Sequence, residues 1–216
     1  MGKILILGGS GMLGATLVRW FASQPKHVVS ATTRTGQAPE RLHAIGGMSW
    51  LQLDVDLTSV RDLVSLCKGY DLVINAIGRI KQRIRDQSLE DRAATLRANA
   101  LFAITLAQAA ELTGSKVIQI ATDCAFSGMR GKSAETDRHD ADDLYGRSKS
   151  LGEVRSDNVS NLRCSIVGLE LSSSYSLLNW FLGQPKGARI CGYTNHVWNG
   201  ISALHFAKVC HGLLEV

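Results

Sequence analysis

The 216-residue sequence contains no long run of hydrophobic residues. The apolar stretch at 4–7 runs into glycines, so it is too short for a membrane span or for the core of a signal peptide. The start of the chain also lacks the serine or threonine of a myristoylation site, because Ile6 occupies that position. We therefore expect a cytoplasmic protein that does not bind a membrane.

Paired cysteines are absent as well. The five cysteines are spread along the chain, and no two of them form a C-x-x-C pair of the kind that marks zinc or redox sites. We expect reduced thiols, most of them buried, and no metal site.

The net charge is +5, and basic residues concentrate in the stretch RIKQRIRD at 79–86. A basic patch is one mark of a nucleic-acid-binding protein, but no nucleic-acid-binding motif accompanies this one. Two other interpretations stay open, a solvated face and a contact for a phosphorylated small molecule. We expect no nucleic-acid partner.

Short β-branched stretches alternate with helical patterns along the chain, and we find no internal repeat and no low-complexity linker. Apolar strands separated by helices predict an α/β fold of the Rossmann type, with a doubly wound parallel sheet. The predicted strands, each expected to be buried on both faces, cover residues 3–7, 27–33, 48–53, 71–75, 116–121 and 161–167. The predicted helices cover residues 11–23, 59–69, 89–114 and a stretch that begins at 144.

The first strand leads directly into the sequence GGSGMLG. Its glycines, Gly8, Gly11 and Gly14, lie where the phosphate-binding turn of a βαβ unit must lie, after a strand and at the start of a helix. Glycines there let backbone N–H groups, including those of Met12 and Leu13, approach a pyrophosphate. The pattern indicates dinucleotide binding, and a purely structural glycine turn is the alternative.

The end of the second strand usually selects the cofactor, through an acid for NAD or an arginine for NADP. Here the strand ends with Thr33 and Arg34 and offers no acid. Because an arginine forms charge-assisted bonds to phosphate, we favour NADP, with NAD as the alternative. Arg34 is otherwise an exposed loop residue.

Tyr145 and Lys149 are four residues apart in a predicted helix. Residues at this spacing share one helix face, so the phenol and the ammonium can point into the same space. The spacing alone is common by chance on amphipathic helices, and it gains meaning only from the rest of the chain.

These motifs together resemble the extended short-chain dehydrogenase/reductases, in their sugar-nucleotide group. The resemblance is strongest to the dTDP-4-dehydrorhamnose reductase branch, whose motif after the fifth strand has the form T-D-x-x-F-x-G. The matching stretches are GGSGMLG, LDVD at 53–56, NAIG at 75–78, Asn99, ATDCAFSG at 121–128, YGRSKSLGE at 145–153 and WNGIS at 198–202, which resembles the stretch before a late helix of that group.

The resemblance implies that Tyr145 is the catalytic acid and base, that Lys149 lowers its pKa and holds the nicotinamide ribose, and that Thr122 binds the reacting oxygen. It also implies further cofactor-binding residues, namely Asp54, Val55, Ala76, Ile77, Gly78 and Asn99. An ammonium about 5 Å from a phenol contributes on the order of 3 kcal/mol at an effective dielectric of about 20. We therefore expect the pKa of Tyr145 to fall by roughly two units.

The chain departs from this group at its C-terminal side, where only residues 169–216 follow the last predicted strand. We expect a Rossmann domain at 1–168 and a short substrate-binding lobe at 169–216, which is reduced or is part of a longer protein. Substrate contacts by Asn179, Trp180 and Trp198 are guesses, since aromatic residues at such positions more often belong to a core.

The expected function is reduction of a keto group on a nucleotide-activated sugar by a cytoplasmic enzyme, with a homodimer as the expected assembly. Dehydratases of the same group carry a glutamate after the Thr-Asp pair, where this chain has Cys124. A thiol cannot act as that carboxylate, so we do not expect elimination of water. An epimerase and a non-catalytic NADP-binding regulator or scaffold are the alternatives.

Overall fold

A computed structural model describes residues 2–85 and 87–214. Six parallel strands form one sheet in the order β3-β2-β1-β4-β5-β6, with helices on both faces. This is the doubly wound Rossmann arrangement that the sequence predicts. The strand order reverses between β1 and β4, and ligands of such sheets bind beyond the carboxyl ends of the strands at this point.

The first five strands match the predicted ones to within one residue at each end. The sixth predicted strand is instead divided between two sheets. Its first part belongs to the main sheet, and its last part pairs with a segment late in the chain. The sheet strands are β1 (Gly2–Leu7), β2 (His27–Thr33), β3 (Ser49–Gln52), β4 (Leu72–Asn75), β5 (Lys116–Ile120) and β6 (Val159–Leu162), and a small parallel pair consists of β7 (Ile166–Val167) and β8 (Ile201–Ser202).

The predicted single strand at 161–167 is therefore wrong. The chain leaves the main sheet after Leu162, because Arg163 turns to the carboxylate of Glu153 and donates bonds of 2.7, 2.9 and 3.0 Å to it. The expectation that every strand is buried on both faces is also wrong for β3 and β6. These two are the edge strands, and their residues are exposed or half-buried.

The described α-helices that begin from a loop start at polar residues that cap their free N–H groups, with the exception of the first helix, while the fourth continues from a π-helical turn. Ser59, Ser88, Asp143, Ser176 and Ser202 each accept a bond from a first-turn amide. The helices are α1 (Met12–Ala22), α2 (Val60–Cys67), α3 (Leu89–Leu96), α4 (Phe102–Thr113), α5 (Leu144–Leu151), α6 (Leu177–Leu182) and α7 (Ala203–Gly212).

The predicted long helix at 89–114 is present, but it is not uniform. A π-helical turn, Arg97–Leu101, joins α3 to α4 and contains Asn99. Turns of this kind are rare and occur frequently at functional sites. The helix ends at Gly114, whose left-handed φ of 75° suits glycine.

Two apolar layers enclose the sheet. One contains Phe21 of α1 and Phe206 of α7, and the other contains Leu63 of α2 and Leu106 of α4. Helix α7 thus packs on the Rossmann core, although it follows the division expected at residue 168. That division into two domains stays a prediction.

Residue 86, the last residue of the basic stretch, lies outside the described residues.

The cysteines are less buried than expected, although all five are free thiols. Cys67 and Cys210 are buried and Cys164 is partly buried, while Cys124 and Cys191 are exposed. Within residues 2–85 and 87–214, no helix has the length and apolar character needed to cross a membrane.

Candidate active site

The glycine turn after β1 is held tightly against the neighbouring strands. The N–H of Gly8 donates to the hydroxyl of Thr32 at 3.0 Å, and the N–H of Gly9 donates to the carbonyl of Thr32 at 2.9 Å. Gly8 has a φ of +80°. A Cβ on Gly14 would lie 2.1 Å from the carbonyl oxygen of Gly8. Glycine is therefore required at both positions for α1 to start this close to β1.

The N-terminus of α1 has the features of an anion site. Its N-cap residue, Gly11, provides no side-chain bond to the first turn, whereas every other described α-helix that begins from a loop is capped by a side chain. A Cβ on Gly11 would touch only the Gly8 carbonyl, at 3.4 Å. The first-turn amides of Met12, Leu13 and Gly14 therefore fit a dinucleotide pyrophosphate.

The loop after β2 presents Arg34 to solvent. No described carboxylate lies within ion-pair distance of its guanidinium. The hydroxyl of Thr33 instead donates to the carbonyl of Gln37 at 3.0 Å and shapes the turn. Of the two residues predicted to select the cofactor, Arg34 is thus available to a phosphate, and Thr33 supports the loop.

The carboxylate of Asp54 accepts a bond of 3.0 Å from the N–H of Asp56, so this side chain builds the turn after β3. Val55 is partly buried beside it in the core. At the end of β4, Ile77 lies so close to the glycine turn that its Cγ1 would be 2.9 Å from a Cβ on Gly8. Ala76 therefore lies beside the same turn, and its N–H donates to the carbonyl of Leu7 at 3.1 Å.

Asn99 connects three parts of the site from the π-helical turn. It is fully buried, and its amide bridges the main chain of Arg79 through bonds of 2.7 and 3.0 Å. The same amide nitrogen donates to the hydroxyl of Ser148 on α5 at 3.0 Å. Its oxygen would lie 3.2 Å from a Cβ on Gly78. Asn99 therefore positions the β4 loop against α5 with its own side-chain bonds.

Thr122, Tyr145 and Lys149 come together at the carboxyl end of β5. The Thr122 side chain lies near enough to the Tyr145 phenol to lower its pKa, and the ammonium of Lys149 donates to the carbonyl of Ile120. Two glycines allow α5 to approach this end of the sheet. A Cβ on Gly146 would lie 2.2 Å from the Cys124 carbonyl, and one on Gly152 would lie 2.1 Å from the Asn99 carbonyl.

The pKa of Tyr145 shifts in the direction opposite to the expected one. Burial of the phenol raises its pKa above the ordinary value of 10.0, and the negative charge of Asp123 acts in the same direction. The Thr122 side chain opposes the shift without reversing it. Lys149 points to the Ile120 carbonyl, so its bond serves the main chain and not the phenol.

Lys149 itself is only 7% exposed. Burial lowers its pKa from 10.5 to about 8, and the negative charge of Glu153 opposes this change. Glu153 in turn is paired with Arg163 and lies 3.7 Å from a ring nitrogen of His139. A buried cation next to the strand that carries the site is the kind of perturbed group that occurs at functional sites.

Sequence reasoning missed the ion pair that fixes the start of α5. Asp143 caps α5 through the N–H of Gly146 at 2.7 Å, and its other oxygen accepts a bond of 2.6 Å from Lys81. An aspartate two residues before Tyr145 is a readable capping signal. Nothing in the local pattern identifies Lys81 as its partner.

Asn179 lies at the start of α6, where its side chain bonds to the main chain of Glu170 and Ser173. It therefore stabilises the loop before α6. Trp180 and Trp198 are 44% and 46% exposed, so neither belongs to a core. The ring of Trp198 lies over Gly200, where it would be 2.2 Å from a Cβ.

The sequence model of the NAD dependent epimerase/dehydratase family matches residues 4–186. The chain belongs to this family. Its cofactor is therefore a nicotinamide dinucleotide, and it is an NAD(P)-dependent enzyme of the extended short-chain dehydrogenase/reductase type. No curated protein matches the chain.

Solved structures of related fold are similar over nearly the whole chain. A dTDP-4-dehydrorhamnose reductase from Bacillus anthracis in complex with NADP is 18% identical, with a TM-score of 0.78 over 100% of this chain and 71% of that one. A hypothetical dTDP-4-dehydrorhamnose reductase from Sulfolobus tokodaii is 24% identical, with a TM-score of 0.78 over 99% and 72%. The Bordetella bronchiseptica enzyme WbmG in complex with NAD and UDP is 21% identical, with a TM-score of 0.77 over 97% and 67%.

Proposed function

We propose that the protein reduces a keto group on a nucleotide-activated sugar with NADPH, as a dTDP-4-dehydrorhamnose reductase does. The observation that carries this proposal is the meeting of Thr122, Tyr145 and Lys149 at the carboxyl end of β5. The same edge of the sheet carries the glycine turn and the uncapped start of α1. A bound carbonyl at this edge has a hydroxyl, a phenol and an ammonium within one small region.

In this proposal Tyr145 is the proton donor. The phenol is protonated at neutral pH, so it carries the proton that the oxygen of a reduced carbonyl requires. Thr122 holds that oxygen by a hydrogen bond, and Lys149 lies close enough to the β4 loop to bind a ribose hydroxyl. The nicotinamide cofactor supplies the hydride for the carbonyl carbon when it is bound.

The thiol of Cys124 supports reduction over loss of water. Although the residue as a whole is exposed, partial desolvation of its sulfur raises the pKa of Cys124, and the charge of Asp123 adds to this effect, while Thr122 opposes it. A protonated thiol at neutral pH does not replace the carboxylate that an elimination requires as its base.

The exposed guanidinium of Arg34 supports NADPH over NADH, because it is free to pair with the 2′-phosphate. Residues 169–216 supply the substrate-binding lobe in this proposal. The enzyme acts in the cytoplasm as a homodimer, and the measured mass of the protein in solution tests the second of these points.

The experiment combines the protein with NADPH and dTDP- or UDP-linked 4-keto-6-deoxy sugars, and follows absorbance together with product mass. Reduction predicts that the product gains two hydrogens while one NADPH is consumed per molecule. A product of unchanged mass with NADPH intact would identify an epimerase. NADPH binding without conversion of any such substrate would support a non-catalytic protein.

A further inference from the structure

The basic segment, residues 79–85, carries four cations, and three of them form ion pairs with two carboxylates. Arg79 and Arg85 pair with the two oxygens of Asp91 at 3.0 and 2.6 Å. Lys81 pairs with Asp143 at 2.6 Å. Arg83 differs, because no described carboxylate lies within ion-pair distance of it.

Arg83 is exposed, and its guanidinium carbon lies 4.8 Å from the centre of the Tyr175 ring. Tyr175 is itself 49% exposed. A guanidinium stacked on an aromatic face keeps the N–H groups at its edge free, and these groups match the oxygens of a phosphate. The pair is therefore a cation that is held in place and whose N–H donors have no partner among the described side chains.

The main chain around Arg83 is held in place by Arg79 and Arg85, the two arginines that pair with Asp91. The guanidinium of Arg79 donates to the carbonyl of Arg83 at 2.9 Å, and a turn of 3₁₀-helix covers Lys81–Arg83. The N–H of Arg85 donates to Asp91 at 3.2 Å. These bonds limit the positions that the Arg83 side chain can take, which lowers the entropy lost when it binds a ligand.

The segment also places Arg83 between the site and the lobe. Lys81 is tied to Asp143, two residues before Tyr145. On the other side, Tyr175 directly precedes Ser176, the N-cap of α6. Arg83 therefore joins the catalytic helix to the part of the chain that we propose as the substrate-binding lobe.

Glu170 is an acidic group close enough to Arg83 to be affected by its charge, and its carboxylate is occupied by its own loop. It accepts bonds of 2.8 Å from the N–H of Ser176 and 2.8 Å from the hydroxyl of Ser173. Burial opposes the shift, but these bonds hold the pKa of Glu170 below its ordinary value, and the charge of Arg83 contributes. Glu170 thus stabilises the lobe and leaves the N–H groups of Arg83 unpaired.

We propose that Arg83, held over Tyr175, binds the diphosphate of the nucleotide-sugar substrate. This inference rests on the proposed function, since it assigns a substrate contact to the same site. It also chooses between the two interpretations of the basic stretch that the sequence leaves open. Three of its cations organise the protein, and the fourth binds a phosphorylated small molecule.

The test measures binding of UDP and of dTDP by calorimetry, with saturating NADP⁺ present so that the glycine turn is occupied. Arg83→Gln should weaken both affinities by about ten- to a hundredfold, the range for loss of a charge-assisted bond. Arg83→Lys keeps the charge but loses the planar guanidinium, so its affinities should lie between those of the wild type and those of Arg83→Gln. Uridine has no phosphate, so its affinity should be the same for all of these proteins. Rising salt should weaken the wild type more than Arg83→Gln.

Arg61→Gln is the matched control, because Arg61 is an exposed arginine on α2 without an ion pair among the described residues. Equal affinities of wild type, Arg61→Gln and Arg83→Gln for UDP and dTDP would overturn the inference, as would failure of the wild type to bind either one. The reductase assay is read separately. Reduction by the wild type with an unchanged KM in Arg83→Gln removes only this inference, whereas Arg83-dependent binding without any reduction removes only the proposed function.

Discussion

Lys149 on α5 donates a hydrogen bond to the main-chain carbonyl of Ile120, the last residue of β5. The same carbonyl also accepts a bond of 3.3 Å from the side chain of Gln119. The bond therefore connects the helix that carries Tyr145 to the strand that leads into Thr122. It also places an ammonium in an environment that disfavours its charge.

Lys149→Met should abolish turnover and stabilise the fold near neutral pH. Burial lowers the pKa of Lys149 from 10.5 to about 8. The unfolded chain therefore holds this proton more tightly, and stability is lost as the pH falls from about 10.5 to about 8. Below pH 8 the loss is complete and amounts to about 3 kcal/mol at most. Urea unfolding at pH 7 should show the gain, and unfolding near pH 11 should not.

Lys68→Met is the control for this prediction, because Lys68 is exposed at the end of α2. It should leave both stability and activity unchanged. A Lys149→Met protein less stable than the wild type at pH 7 would show that the bond to Ile120 outweighs the burial of the charge.

Tyr145→Phe should reduce kcat by about 10²–10⁴, because it removes the hydroxyl that is the proposed proton donor and leaves the rest of the side chain unchanged. The ring stays in place, so circular dichroism and the thermal midpoint should change little. Tyr193→Phe, at a tyrosine that is 85% exposed, is the matched control. Near-full activity of Tyr145→Phe on a verified substrate would exclude Tyr145 as the acid.

Arg34→Ala should erode a preference for NADPH over NADH. The loss should correspond to a charge-assisted bond of about 1.5–3 kcal/mol and should affect NADPH alone. Titration of both cofactors against wild type and variant measures it, with the exposed Arg92→Ala on α3 as control. Equal affinity of the wild type for the two cofactors would contradict the role given to Arg34.

Gly146→Ala should destabilise the protein despite the better helix propensity of alanine. Its Cβ would lie 2.2 Å from the Cys124 carbonyl and 2.5 Å from the Ala141 side chain, so α5 must move away from the site. We expect a loss of about 1–3 kcal/mol and a lower kcat. Gly46→Ala, where the added Cβ meets nothing within 4 Å, should change neither.

The sequence predicts the sheet well because five strands are short β-branched stretches with clear ends. It fails at 161–167, where the apolar pattern continues although Arg163 turns to Glu153 and ends the pairing. That ion pair joins residues that are ten positions apart, one just after the end of α5 and the other just after β6. No local pattern contains it.

The candidate site shows the same division. The glycine turn and the spacing of Tyr145 and Lys149 are local features, so they can be read from the sequence. The direction of the Tyr145 pKa shift depends on burial and on where the Lys149 ammonium points, and both follow only from packing. The free state of Arg83 is likewise visible only once the partners of its neighbours are known.

The π-helical turn Arg97–Leu101 lets this helix hold one residue more than an α-helix along the same path, because the wider turn takes up the extra residue. Each residue of an α-helix turns the chain by about 100°. A deletion near the start of α4 has no such turn to take it up, so it would turn Leu106 and Ala110 away from the core they now fill. Closing the wide turn by a deletion within Arg97–Leu101 would instead keep α4 close to its present phase and displace Asn99 from its bonds. Natural variation within α4 should therefore consist of replacements and not of gaps.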